Sequence, residues 1–232
     1  MQTFHMRFVR RILLLSLTLA LTAAAAPDTD LENVLTKLDE TAAKFRSVQA
    51  KFTWTMFNAV INDVAETENG TIYFRRNAKE TQMAAYIEKP DTKQVTFAEG
   101  KISVYQPNTA TMDVYNATAH REEFETFLVL GFGSGGQEMR KSFDINYGGQ
   151  EKIDGVDTAK LELVPKSDKI KQHFTQIILW IDSQRGISIQ QKIMQANGDY
   201  RLAKYSDIQL NQKIADKVFK LKPSDRTKVV NH

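Results

Sequence analysis

At residue 50 the apolar pattern of this chain changes period, and no other feature limits the fold as much. Before it, Leu31, Val34, Leu35, Leu38, Ala42, Phe45 and Val48 recur at steps of three and four with charges between them. That spacing predicts an amphipathic helix over 28–49, with Thr29 and Glu32 as a capping box. After it, apolar side chains alternate, and turn residues come at hairpin intervals: Asn69-Gly70, Pro90-Asp91, Glu99-Gly100, Pro107-Asn108, Asp154-Gly155, Arg185-Gly186 and Asn197-Gly198. The pattern predicts eleven short strands near 50–59, 66–75, 81–87, 94–99, 101–106, 111–116, 145–151, 156–164, 174–181, 187–194 and 199–208. Such short connections cannot hold a parallel crossover, so neighbouring strands run antiparallel. A sheet of this size curls or closes, which leaves a concave apolar face.

The meander is interrupted once, over 119–143. Phe124, Phe127 and Leu128 fall at helical spacing, and Met139 and Phe143 are four apart in a second short helical stretch. Between them lies LGFGSGGQ, in which Gly131, Gly133 and Gly136 match the G-x-G-x-x-G register of a dinucleotide-binding loop. That loop needs a strand before it inside a βαβ unit. Here the glycines connect two helices, so the match is one of spacing only. The expected fold is mainly β (α+β): an incomplete antiparallel barrel of about eleven strands, an N-terminal helix and a two-helix insertion.

The N-terminus sets the compartment. Arg7, Arg10 and Arg11 precede the run ILLLSLTLALTAAAA, and Ala23 with Ala25 supplies the small pair that signal peptidase needs. Residues 1–25 read as a signal peptide, leaving 26–232 as a single exported domain. Its loss removes three arginines and no acid, so basic and acidic side chains balance at 28 each. A neutral chain without a Lys/Arg block has no footprint for nucleic acid or for an anionic membrane. The chain has no cysteine, which excludes disulfides, thiol chemistry and a lipid-anchoring cysteine.

No catalytic constellation follows. There are 4 histidines, and His120 with Glu123 is a lone metal-type pair at a common spacing, read as a solvated helix start. Gly133-Ser134-Gly135 is one residue too tight for a nucleophile elbow. The carboxylates lie near turns or beside Lys and Arg and read as solvated charge. No metal or cofactor is expected, and no enzyme activity.

Read in order, FRSVQAKFTWTM, ENGTIYFRR, KPDTKQVTFAEGKISVYQPNTATMDVY, EEFETFLVLGFG, LELVPKSDKIKQHFTQIILWIDSQRGISIQQKIMQANGDY and FKLKPSD resemble the LolA family of periplasmic outer-membrane lipoprotein carriers and its lipoprotein-sorting relatives. The resemblance implies a hydrophobic cavity for acyl chains, closed by a helical lid. It also implies an inner-membrane ABC-type releasing complex and an outer-membrane receptor as partners, acylated lipoproteins or lipids as cargo, and a periplasmic monomer. Arg76 falls where the family keeps an arginine that closes the empty cavity by hydrogen bonding to lid carbonyls. Asn77 and Glu80 depart from the family's proline and aromatic at their positions. Within that frame Phe52, Trp54, Ile72, Phe74, Val95, Phe97, Val104, Met112 and either Leu179 or Trp180 are expected to line the cavity. Phe127, Leu128, Leu130 and Phe132 are expected to cover it, with Gly131, Gly133 and Gly135 as a flexible lid hinge that alanine would stiffen, slowing ligand entry. Two other readings remain: an envelope lipid-sensing module of the same fold, and a secreted esterase, for which no activated nucleophile is found.

Overall fold

The computed structural model describes residues 29–120 and 129–232. The expected signal peptide, Glu123, Phe124, Phe127 and Leu128 lie outside the described residues. Helix α1 (Thr29–Lys44) leads into β1 (Ser47–Asn58), β2 (Asp63–Arg76), β3 (Thr81–Lys89), β4 (Lys93–Ala98), β5 (Lys101–Gln106) and β6 (Thr111–Asn116). After the interruption come α2 (Gly136–Ser142), β7 (Phe143–Ile153), β8 (Val156–Pro165), α3 (Asp168–Lys171), β9 (Gln176–Asp182), β10 (Ile187–Met194), β11 (Tyr200–Leu210) and β12 (Lys228–Asn231). All the strands form one open sheet in the order β12-β6-β5-β4-β3-β2-β1-β11-β10-β9-β8-β7. Two antiparallel meanders, β1 to β6 and β7 to β11, are thus joined where β1 pairs with β11.

Three local expectations are corrected. The helix ends at Lys44, because Val48 belongs to β1, where it pairs with Phe74 and Leu210. Val48 fits both periods, and the ladder bonds available on both sides decide for strand, while Phe45 lies in the short link between the two elements. Asn69-Gly70 is no hairpin turn. The chain reverses at 59–62, and Asn69-Gly70 sits inside β2 at a register shift against β3. A twelfth strand, β12, pairs in parallel with β6; the long segment 211–227 supplies the crossover that parallel pairing needs.

The concave face is covered in two parts. Over β7 to β9, α1 and α2 pack Leu35, Leu38 and Met139 onto Phe143, Leu161, Leu163, Ile177, Leu179 and Ile181. The two helices are tied together: Asp39 accepts the Gln137 N–H (3.3 Å) at the start of α2, and Arg140 pairs with Glu32. On the convex face the C-terminal segment lays Ile214 and Phe219 against Ala84, Tyr73 and Tyr86.

The β9–β10 hairpin carries a buried acid. Burial disfavours the Asp182 carboxylate, but the Arg185 N–H (2.9 Å), the Arg185 guanidinium (2.6 Å) and the Gln184 N–H (2.8 Å) outweigh it and hold its pKa below the ordinary value. A lowered folded-state pKa stabilises the native state at neutral pH, and this contribution fades as pH falls through about 4 and below. Asp182→Asn should therefore melt earlier than wild type at pH 7, with the gap narrowing as the pH is lowered below about 4. A gap independent of pH in thermal melts would contradict this account.

Candidate functional site

Directly paired residues point to the same side of a sheet, so register decides which side chains share the concave face. Leu210, Val48, Phe74, Met83, Phe97 and Ile102 form one row across β11 and β1 to β5. Ala50, Ile72, Ala85, Val95 and Val104 form the next. Beyond them Phe52 stacks on Trp54 with ring centroids 4.2 Å apart. This wall is broad, apolar and aromatic.

The loop Val129–Gly135 lies on that wall. Its turn is wound tightly, with the N–H groups of Phe132, Gly133 and Ser134 all directed to the Val129 carbonyl at 2.8–3.1 Å. Val129 and Phe132 are buried among Phe45, Phe52, Ile72, Phe74 and Ile187, while Leu130 inserts between α1 and β7 to β9. The Phe132 ring meets Tyr205 edge-on at 4.9 Å and Phe74 at 5.8 Å. Three carbonyls of the loop are held from the sheet. Gln191 Nε2 donates to Leu130 (2.8 Å), the Ser188 N–H to Gly131 (2.6 Å), and Arg76 Nη2 to Gly133 (2.8 Å). Arg76 also reaches the Ala42 carbonyl at the end of α1 (3.5 Å) and lies 5.3 Å from the Phe45 ring centroid. One guanidinium therefore touches the strand end, the helix end and the loop.

The residues singled out from the sequence are distributed as follows. Phe52, Trp54, Ile72, Phe74 and Val95 meet in one cluster with Phe132, and Phe97 and Val104 continue its rows. Leu130 and Leu179 belong to the second cluster, beneath the helices. Met112 and Trp180, both expected to line the cavity, lie on the opposite face. Met112 pairs with Tyr105 and lines a convex cleft with Phe219. Trp180 Nε1 donates to the Glu151 carboxylate at 2.7 Å. Alternation alone left β9 with apolar side chains on both parities, and pairing with β8 settles which is inside: Leu161 with Leu179, Lys160 with Trp180. At the departures from the family pattern, Asn77 Oδ1 accepts the Lys79 and Glu80 N–H groups (2.8 and 3.0 Å), and buried Glu80 accepts the Glu99 N–H (2.7 Å).

The glycines also differ from expectation. Gly131 has φ +81°, which favours glycine, but Gly133 and Gly135 adopt ordinary backbone conformations and are buried. A Cβ at Gly133 would stand 2.5 Å from Phe45 Cδ1, and one at Gly135 would stand 2.4 Å from Asp39 Oδ1. These positions need small size for close approach rather than freedom to bend. The expected effect of alanine therefore reverses. Gly133→Ala should push the loop off the Phe45 ring, weakening closure by about 1–2 kcal/mol and raising the rate of uptake of a hydrophobic dye. A slower uptake would restore the hinge reading.

Sequence reasoning missed Phe45, Ser188, Gln191 and Tyr205. The signal for the polar pair was present in ISIQQKI, where alternation fails; a register shift between Ser188 and Gln190 is the cause. Among the described residues no three His, Asp or Glu side chains are grouped to hold a metal ion, and no helix is long and apolar enough to cross a membrane.

An open, mostly antiparallel half-barrel with helices on its concave face defines a structural class, and solved structures are similar to it in fold. An uncharacterized conserved protein from Thermus thermophilus is similar at 12% identity over 88% of this chain and 99% of that one, with TM-score 0.55. MucB, also solved with MucA from Pseudomonas aeruginosa, is similar at 12% identity over 84% of this chain and 63% of its own, with TM-score 0.51. A LolA superfamily protein from Nitrosomonas europaea matches at 14% identity over 82% of this chain and 97% of that one, with TM-score 0.41. No family model and no curated protein sequence matches. What is shared at these identities is the fold.

Proposed function

We propose that this chain is a periplasmic carrier that holds the acyl chains of lipoproteins, or of related lipids, against the concave wall beneath the 129–135 loop. The observation that carries this reading is the loop itself. Val129, Leu130 and Phe132 are buried in an apolar wall, yet the loop backbone is held to the sheet by bonds from Arg76, Gln191 and Ser188. Hydrocarbon can take the place of these side chains when the bonds open, at little change in apolar burial. The need is physical: a sixteen-carbon chain exposed to water costs on the order of 12 kcal/mol, at about 0.8 kcal/mol per methylene.

In this reading residues 26–232 form one monomeric carrier domain, exported by the leader over 1–25. Cargo is received from an inner-membrane ABC-type complex and passed to an outer-membrane receptor, as the family resemblance implies. No catalytic step, metal or cofactor is involved. Purifying the protein from the periplasm and identifying what co-purifies by mass spectrometry tests the reading; acylated cargo is expected. A folded sample with no affinity for acyl chains would remove it. A sample that binds lipid but does not deliver it to acceptor membranes would make the chain an envelope lipid-sensing module instead.

A further inference from the structure

On the apolar wall beneath the loop two polar side chains meet. Gln191 on β10 and Tyr205 on β11 point to the same side, and the Tyr205 hydroxyl lies 3.4 Å from Gln191 Oε1. Burial pushes the phenol pKa up, so the hydroxyl stays a neutral donor. The Gln191 amide nitrogen is directed at the Leu130 carbonyl (2.8 Å). Phe132, edge-on to Tyr205, closes the group on the loop side.

This arrangement is satisfied only while the loop is down. When Leu130 leaves, the half-buried Gln191 amide loses its carbonyl acceptor, while its cross-strand partners on the wall remain the apolar Leu179 and Ala203. A pure hydrocarbon ligand would leave that donor unpaired, and an unpaired donor in an apolar site is costly. A ligand that brings a carbonyl oxygen to the same place restores the bond.

We propose that Gln191, oriented by Tyr205, is a specificity-determining residue that recognises an ester carbonyl of the cargo, so that the preferred ligands are diacylglyceryl esters rather than bare alkyl chains. The Leu130 carbonyl is the stand-in for that ester in the closed state. The inference rests on the carrier reading above and adds the chemistry of the ligand's linkage region. Diacylglyceryl esters come either from the lipid of an acylated cysteine or from a phospholipid, and both present the same carbonyl.

The test is equilibrium binding, by displacement of a fluorescent fatty acid, of four probes: a dipalmitoylglyceryl-cysteine peptide, dipalmitoyl phosphatidylglycerol, and the dialkyl ether analogue of each. Wild type should bind ester over ether by about three- to tenfold, the worth of one hydrogen bond, and the arm showing the preference names the source. Gln191→Leu should abolish the preference. Tyr205→Phe, which keeps the ring in place and removes only the hydroxyl, should reduce it. Loss of a mere latch would tighten ester and ether binding by the same factor, because loop opening is common to both. An unchanged ester-to-ether ratio in Gln191→Leu, or equal binding of esters and ethers by wild type, overturns the inference while leaving the carrier reading standing. Failure of folded wild type to bind any of the four probes defeats both.

Discussion

Arg76→Leu should bind acyl chains more tightly than wild type and release them more slowly. In the closed state the guanidinium donates to the Gly133 and Ala42 carbonyls and stands against the Phe45 ring, so its removal weakens closure without touching the wall. A hydrogen bond from a charged donor is worth about 1.5–3 kcal/mol. Arg76 stands at the rim, open to water, which lowers this to about 1–2 kcal/mol. In the proposed carrier the ligand would compete with closure, so the apparent dissociation constant should fall by roughly five- to thirtyfold. Transfer from loaded protein to acceptor vesicles should slow, because closure no longer helps to expel the chain. Arg75→Leu is the control. Arg75 points to the other face, bonding Gln82, the Ile214 carbonyl and Asp216, and its loss should loosen the C-terminal segment while leaving acyl affinity unchanged. Equal effects of the two substitutions on affinity would remove Arg76 from the closing role.

The largest loss of stability is expected from Gly70→Ala. A Cβ there would stand 2.0 Å from the Tyr86 carbonyl oxygen and 3.0 Å from Ile87 Cα, both backbone atoms in the adjoining β3. Neither can swing aside as a side chain can, so β2 and β3 must separate at the bulge. Overpacking of this kind costs about 3 kcal/mol, or roughly 6–12 °C in melting temperature for a domain of this size. Gly155→Ala is the comparison: its φ is +85° but nothing lies within 4 Å of the added atom, so its effect comes from backbone strain alone and should be smaller. Similar melting points for the two variants would contradict the close-approach account. The same substitution tests the site indirectly, since β2 carries Ile72 and Phe74 into the wall and ends at Arg76.

Both predictions depend on details that differ in how readily they could be read. Arg75 and Arg76 are adjacent in the sequence and chemically alike. Strand alternation says that they diverge, but only the neighbours of β2 tell which one meets the loop and which one meets the C-terminal segment. Gly70 follows Asn69 in a dipeptide that favours hairpin turns, and local propensity pointed to a turn. The ladder to β1 and β3 continues through it, because its missing side chain admits the backbone of β3. Met112 and Trp180 failed for a related reason: in strands with apolar residues on both parities, period alone does not assign a face.

The sequence by itself determined the N-terminal helix, the eleven strands of the antiparallel meander and most of the apolar wall, because these follow from local periods and from connections too short for any other pairing. It also picked out Arg76 and the glycine-rich loop as features to explain. The tertiary structure alone decided that β1 joins β11, that β12 lies parallel to β6, and that Gly133 is small because Phe45 is there. It also brought Gln191 and Tyr205 to the underside of the loop. Those are relations between residues far apart along the chain, set by register and close packing, and no local period encodes them.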